Sequence, residues 1–84
     1  MEKLYVVTEF ETRELKKGEF EETEWYVNVN GNKIYKYQFD EYLLLGNNIG
    51  VVTTDKAKSE YWKEKLVKFF KTYREVMKKW DIEI

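Results

Sequence analysis

The chain has 84 residues, of which 18% are aromatic and 37% are charged, and its formal net charge is −1. It contains no cysteine, histidine or proline, which excludes disulfides, thiolate–imidazole zinc sites and Cys–His or Ser–His–Asp catalysis within these residues. A run of about 18 apolar residues is also missing, so no transmembrane helix is predicted. Because the first residues lack the basic region and apolar run of a signal peptide, we expect a cytoplasmic protein without a membrane partner.

The first two thirds of the chain read as β-strands. The predicted strands span residues 4–12, 20–29, 33–45 and 49–53. Turn residues separate them at 13–18, 30–32 and 46–48. In the first strand, the two-residue period places Leu4, Val6, Thr8 and Phe10 on one face, which we expect to be buried.

The last third of the chain reads as a helix, because its apolar residues recur at spacings of three and four. These residues are Trp62, Leu66, Phe69, Tyr73, Val76, Met77 and Trp80. The pattern predicts one amphipathic helix over 56–80, with Thr54 or Asp55 as its N-cap. Residues 81–84 alternate again, which fits either a short fifth strand or an irregular tail.

Strands followed by a single helix predict an α+β fold. We expect one domain over residues 1–84, in which an antiparallel β-meander of about four strands packs on the C-terminal amphipathic helix as a two-layer sandwich. One helix can cover only one face of a sheet. The other sheet face is therefore predicted to be open to solvent.

The segment 24–39 predicts an aromatic hairpin. A three-residue loop at 30–32 pairs Val27 with Tyr35 and Trp25 with Tyr37, so that these side chains share a buried face with Phe39. A two-residue loop combined with a bulge gives the same faces. The hairpin is therefore predicted to be mainly a folding element, with Tyr26 as the ring that is left outside.

Charge is sorted along the chain. Residues 1–55 carry eleven acidic and six basic side chains, whereas residues 56–80 carry three acidic and nine basic ones. In the predicted register, the open sheet face collects Glu9, Glu11, Glu22, Glu24, Tyr5 and Tyr26. The outer surface of the predicted helix collects Lys68, Lys71, Arg74 and Lys78. The two faces of the molecule are thus expected to have opposite charge.

The residue pattern argues against an enzyme. Acid–base catalysis needs carboxylates held in a cleft, whereas the predicted carboxylates lie on a flat, solvated sheet. The segment 46–50 lacks the Lys-Ser/Thr of a phosphate-binding loop, and no acidic run has the spacing of a calcium-binding loop. We therefore expect no catalytic residues, no metal and no cofactor.

The remaining function classes are binding functions. The leading hypothesis is a small interaction or inhibitor protein that binds a protein partner through its acidic, tyrosine-bearing sheet face, as nucleic-acid mimics of phages and mobile elements do. The alternative is a nucleic-acid-binding module that uses the basic face of the helix. A designed or structural domain without a ligand is the third reading. Either a monomer or a homodimer fits the sorted charges.

Overall fold

The computed structural model describes residues 2–45 and 48–83, with side chains given as far as residue 80. The strands are β1 (Lys3–Val7), β2 (Thr12–Lys16), β3 (Glu21–Glu22), β4 (Tyr26–Val29), β5 (Asn32–Tyr35), β6 (Tyr42–Leu45) and β7 (Asn48–Thr53). A short 3₁₀ turn at Lys36–Gln38 follows β5, and the helix α1 spans Lys56–Glu83. The α+β class is confirmed: the strands are antiparallel, and one C-terminal helix packs on a sheet.

The strands form two sheets instead of the single predicted one. The first sheet has the order β2–β1–β7–β6, and the second is the meander β3–β4–β5. The chain therefore leaves the first sheet after β2, builds the second, and returns to add β6 and β7. Three of the four predicted strands are each split, and only the predicted strand at 49–53 remains whole, within β7. The predicted turn at 46–48 falls partly on residues outside the described ranges.

Two threonines explain where the first two predicted strands break. The Thr8 hydroxyl accepts hydrogen bonds from the backbone N–H groups of Phe10 and Glu11 at 3.3 and 3.2 Å. The Thr23 hydroxyl accepts from Trp25 and Tyr26 at 3.3 and 3.1 Å. Because a side chain that bonds its own backbone competes with the strand ladder, each threonine starts a turn, at residues 8–11 and 23–26.

The predicted register of the aromatic hairpin is wrong. Asn30 and Gly31 form a two-residue loop, and both have positive φ, at 50° and 83°. These dihedrals suit a type I′ turn, whose twist matches that of the flanking strands. The ladder consequently pairs Val27 with Ile34 and Tyr26 with Tyr35. Ile34 replaces Tyr35 in the core, and Tyr35 turns outward with Tyr26.

The first sheet is covered on both faces. On one face, Val7 and Val51 pack against Leu66 of α1, with Trp62 and Phe70 beside them. On the other face, the core joins residues of both sheets: Leu4, Leu15, Phe20, Val27, Val29, Ile34 and Val52. The second sheet thus adds a layer on the face that was predicted to be open. Because side chains along a strand point alternately to opposite faces, Val51 packs in the core beneath the helix and its neighbour Val52 packs in the core between the two sheets.

The helix begins at the predicted N-cap and ends later than predicted. The Asp55 carboxylate accepts a hydrogen bond from the backbone N–H of Ala57 at 2.8 Å, which satisfies one free donor of the first turn. With 28 residues, α1 is about 42 Å long, roughly twice the length of β7. Its first half therefore covers the sheet, while its second half extends beyond. Residues 81–83 continue the helix and do not form a fifth strand.

Candidate protein-binding surfaces

The predicted acidic face does not exist as one surface. Tyr5 is buried on β1, on the same side as Val7, and so points toward the helix. Glu9 and Glu11 lie in the turn at 8–11. The other members of the predicted set, Glu22, Glu24 and Tyr26, belong to the second sheet and its turn. The set was assembled on the wrong register and on a single sheet, which is why the structure divides it.

The second sheet instead presents a cluster of three tyrosines, which we call the tyrosine surface: Tyr26, Tyr35 and Tyr37, together with Lys33. The rings of Tyr26 and Tyr35 meet edge to face with centroids 5.8 Å apart. Tyr35 and Tyr37 are stacked at 5.9 Å. The Lys33 ammonium lies 5.0 Å from the centroid of Tyr26, which shows that this surface can hold a cation over a ring.

Local sequence explains how the tyrosine surface is assembled. Tyr26 and Tyr35 are directly paired across β4 and β5, on the opposite face from the buried pair of Val27 and Ile34. The 3₁₀ turn then brings Tyr37 back beside Tyr35, and the Gln38 side chain accepts a hydrogen bond from the Tyr35 N–H at 3.3 Å. The stacked ring of Tyr37 remains 77% exposed.

The segment that carries the tyrosine surface is rich in acidic residues. Residues 19–41 carry six acidic side chains and two lysines. Glu21 lies on the same face through its pairing with Asn28, which in turn pairs with Lys33. Glu22 forms an ion pair with Lys36 at 3.1 Å, and the hydrogen bond from Lys36 lowers the pKa of this carboxyl. Glu24 is exposed in the adjacent turn. The segment that carries the rings thus has an excess of acidic side chains, of which Glu21 shares the face of the rings.

Trp25 extends the exposed aromatic area of the second sheet. It was predicted to be in the core, yet it is 70% exposed in the turn that Thr23 stabilises. Its carbonyl accepts a hydrogen bond from the N–H of Lys36 at 3.0 Å, which fixes the turn to the neighbouring strand. In the hairpin, sequence reasoning misplaced Trp25, Tyr35 and Tyr37. The dipeptide Asn30-Gly31, a strong signal for a two-residue hairpin, was sufficient to place Tyr35 outside. Trp25 and Tyr37 are exposed because they lie in the turns that flank the hairpin.

A second exposed apolar area lies on the opposite side, beside the helix. A groove of about 330 Å³ separates α1 from the turn at 8–11 and from β6. Phe10 and Leu44 form one wall, and Phe69 and Tyr73 form the other. Phe10 was predicted to be buried with Leu4, but it is 70% exposed because the turn carries it away from the sheet.

The groove is held open by contacts between the turn and the helix. The Arg74 guanidinium donates a hydrogen bond to the Glu9 carboxylate, whose side chain is only 11% exposed. Lys63 donates to the Thr8 carbonyl at 3.2 Å. Arg74 also lies over the Phe70 ring, 5.9 Å from its centroid. These contacts fix the turn at 8–11 against one side of α1.

The second half of α1 carries an apolar stripe that the sheet does not cover. All the side chains described between 71 and 80 are exposed. Tyr73, Val76, Met77 and Trp80 belong to the predicted apolar stripe, and only its earlier part contacts the sheet. The sheet therefore covers only the first part of the stripe, because the helix is longer than the strands beneath it.

The predicted basic helix face is partly preserved. Lys68, Lys71 and Lys78 are exposed on α1, whereas Arg74 is engaged with Glu9. Glu64 and Glu75 lie on the same side of the helix as these lysines, at helical spacings of three and four. The face is thus a mixed one with excess positive charge.

Comparison with known protein families, with curated proteins and with solved structures finds no match to this chain. Within the described residues, no group of three or more Asp and Glu side chains is arranged to hold a metal ion. Over the same residues, no helix combines the length and the apolar character needed to span a membrane. The assignment of function therefore rests on the two exposed surfaces.

Proposed function

We propose that this chain is a small non-enzymatic interaction domain that binds a basic segment of a protein partner through the tyrosine surface. The observation that carries the proposal is the exposure of Tyr37 beside the packed pair of Tyr26 and Tyr35, in a segment where acidic side chains outnumber lysines by six to two. Trp25 is also exposed, in the turn that precedes β4. Tyrosine and tryptophan are enriched among the residues that dominate binding energy at protein interfaces.

The chemistry of the tyrosine surface favours a partner rich in lysine or arginine. Aromatic faces attract cations, each by about 0.5–2 kcal/mol depending on how far water is excluded. The acidic excess of the segment 19–41 adds long-range attraction for a basic partner and increases the association rate. Lys33 already holds one such position over Tyr26. A partner cation needs only to reach Tyr35 or Tyr37 to repeat that contact.

The predicted acidic residues lie at two separate places, which bears on whether the chain could imitate a nucleic-acid backbone. Imitation of a nucleic-acid backbone requires carboxylates spaced along one continuous surface. Because Glu9 and Glu11 lie in one turn and Glu22 and Glu24 lie by the other sheet, a compact docking site for a basic segment is better supported.

Selection of random peptides displayed on phage tests the proposal directly, because it does not require the natural partner. We expect the selected peptides to be enriched in lysine and arginine, and Tyr37→Ala to weaken their binding about tenfold through the loss of one exposed ring. Tyr61→Ala is the matched control, since Tyr61 is an exposed tyrosine on the helix. Peptides without basic residues, or equal binding to both variants, would reject the tyrosine surface as the site.

A nucleic-acid-binding function through the helix remains the second candidate, supported by the exposure of Lys68, Lys71 and Lys78 along α1. Binding to single- and double-stranded DNA and RNA across a salt series separates the two candidates. Phosphate contacts produce a steep loss of affinity with salt. Micromolar binding with such a slope, abolished by Lys71→Glu and unchanged by Tyr37→Ala, would replace the protein-binding proposal.

A further inference from the structure

The groove beside the helix and the uncovered end of the helix form one continuous apolar area, which we call the helix-end surface. Its members are Phe10, Leu44, Phe69, Tyr73, Val76, Met77 and Trp80. Phe69 and Tyr73 line the groove and have stacked rings 6.5 Å apart. Tyr73, Met77 and Trp80 follow one another at spacings of four and three, so they share one side of α1.

The helix-end surface is large for a chain of this size. Phe10, Phe69, Tyr73 and Trp80 are between 46% and 70% exposed, which amounts to on the order of 450 Å² if a whole aromatic side chain offers about 200 Å². Leu44, Val76 and Met77 add to this area. The total approaches the roughly 800 Å² that each partner contributes to a standard interface. Monomeric proteins seldom expose so large an apolar patch without using it.

The spacing of the stripe indicates that a second helix covers it. Leu66, Phe69, Tyr73, Val76 and Trp80 alternate spacings of three and four. This is the 3.5-residue period by which two helices pack along each other. The sheet uses only the first part of that pattern, because Leu66 is buried and the later members are exposed.

Shape and charge together identify the second helix as that of another copy. Each chain presents both a projecting helix end and an apolar groove, so two copies can exchange them around a two-fold axis. The helix end is basic: residues 71–80 carry Lys71, Arg74, Lys78 and Lys79 against Glu75. The turn beside the groove carries two acidic residues, Glu9, which lines the groove, and Glu11. Reciprocal docking therefore places opposite charges together.

We propose that the chain forms a two-fold symmetric dimer in which the helix end of each copy fills the groove of the other. The two helices run antiparallel and cross near Tyr73. Trp80 of each copy enters the groove lined by Phe10 and Leu44 of the other, and Lys78 and Lys79 approach the turn that carries Glu9 and Glu11. The tyrosine surface lies on the second sheet and stays free, so the dimer does not depend on the proposed function.

Sedimentation equilibrium tests the dimer directly. At about 100 µM the chain should sediment at twice its monomer mass of 10.3 kDa. Trp80→Glu should weaken association by about 30-fold or more, because it places a charge in the apolar groove of the other copy. Trp25→Glu is the matched control, since that tryptophan is also largely exposed and lies in the turn before β4, and it should leave the mass unchanged. Circular dichroism should show both variants folded, as neither side chain lies in the core.

Disulfide exchange provides a second measurement that depends on geometry alone, because the chain has no cysteine. Two single variants, Leu44→Cys and Trp80→Cys, should form a mixed disulfide with each other when combined under mild oxidation. Lys33→Cys mixed with Trp80→Cys should not. A wild-type monomer at about 100 µM would overturn the dimer and assign the helix-end surface to a different protein or to a membrane, and a dimer unaffected by Trp80→Glu would equally overturn it.

Discussion

The turns at 8–11 and 23–26 share the pattern Thr-Glu-aromatic, as Thr-Glu-Phe-Glu and Thr-Glu-Trp-Tyr, and they have the same hydrogen bonds. In each turn, the threonine N–H bonds the carbonyl three residues later, at 2.9 and 2.8 Å, and the aromatic side chain at the third position is 70% exposed. The surroundings differ. Phe10 lies at an apolar groove beside the helix, whereas Trp25 lies in the turn that leads into β4 of the second sheet. The same local turn therefore exposes an aromatic side chain in two different surroundings.

The largest expected effects test whether the core beneath the helix and the core between the two sheets unfold as one unit. Leu66→Ala removes core on the helix side, and Ile34→Ala removes core on the side of the second sheet; each should cost about 2–5 kcal/mol in free energy of unfolding. Because β7 contributes Val51 to one core and Val52 to the other, each variant should still unfold in a single transition. Urea denaturation followed by circular dichroism measures both properties. Two separate transitions in either variant would show that the regions are independent units.

A smaller effect is expected from the threonines themselves. Thr8→Val and Thr23→Val keep the branched shape but remove the oxygen that accepts two N–H groups, so each should cost about 1–2 kcal/mol. Thr→Ser at each position retains the acceptor and is the matched control, with at most a few tenths of that cost. Thermal unfolding measures the difference.

The same threonine variants separate the two surfaces. Thr8→Val should weaken the dimer and leave peptide binding unchanged, because it displaces Phe10. Thr23→Val should weaken peptide binding and leave the dimer unchanged, because it displaces Trp25. A loss of both properties in either variant would mean that the turns do not act locally.

The smallest expected effect on stability concerns the ion pair that connects the segment after the 3₁₀ turn to α1. Asp40 follows the 3₁₀ turn, and its carboxylate lies 2.8 Å from the Lys58 ammonium on α1. Burial raises the pKa of Asp40, but the hydrogen bond and the charge of Lys58 act in the opposite direction, and the net pKa is lowered. The same contact with Asp40 raises the pKa of Lys58.

The stabilisation from this pair should therefore be complete between about pH 4 and pH 10. It should decline as Asp40 becomes protonated at lower pH and as Lys58 loses its proton at higher pH. Asp40→Asn should flatten both slopes when melting temperature is plotted against pH, with a smaller change than the threonine variants produce. Glu24→Gln, at an exposed carboxyl in the turn, is the control, and it should leave both slopes in place.

Much of the architecture could be predicted from local pattern. The 3.6-residue period located the helix, and Asp55 was among the predicted N-caps because its carboxylate suits the free N–H groups of a first turn. The α+β class followed from strands succeeded by one helix. The register failed because burial of Tyr35 and Tyr37 was weighed above the dihedral preference of Asn30 and Gly31. An exposed edge strand such as β2, with only Leu15 buried, offered no apolar alternation to detect.

The candidate surfaces were less predictable than the fold. The charge sorting between the strands and the helix was visible in the sequence, and Tyr26 was predicted to be outside. Its neighbours Tyr35 and Tyr37 were not predicted to be outside, because a one-residue shift of the hairpin register moves their side chains to the other face of the sheet. The groove at Phe10 and Leu44 brings together segments from opposite ends of the strand region, and no pattern within either segment indicates the other.

By itself, the sequence determined the elements whose cause is local. These are the helix and its cap, the threonine turns, the type I′ loop and the unequal charge of the two parts of the chain, each set by residues within a few positions of one another. Only the tertiary structure decided that the strands divide into two sheets and that the second sheet covers the face of the first sheet that was predicted to be open. It also decided how far the helix extends beyond the strands on which it packs. Those outcomes depend on how much apolar area distant segments can bury together, a quantity that no single segment contains.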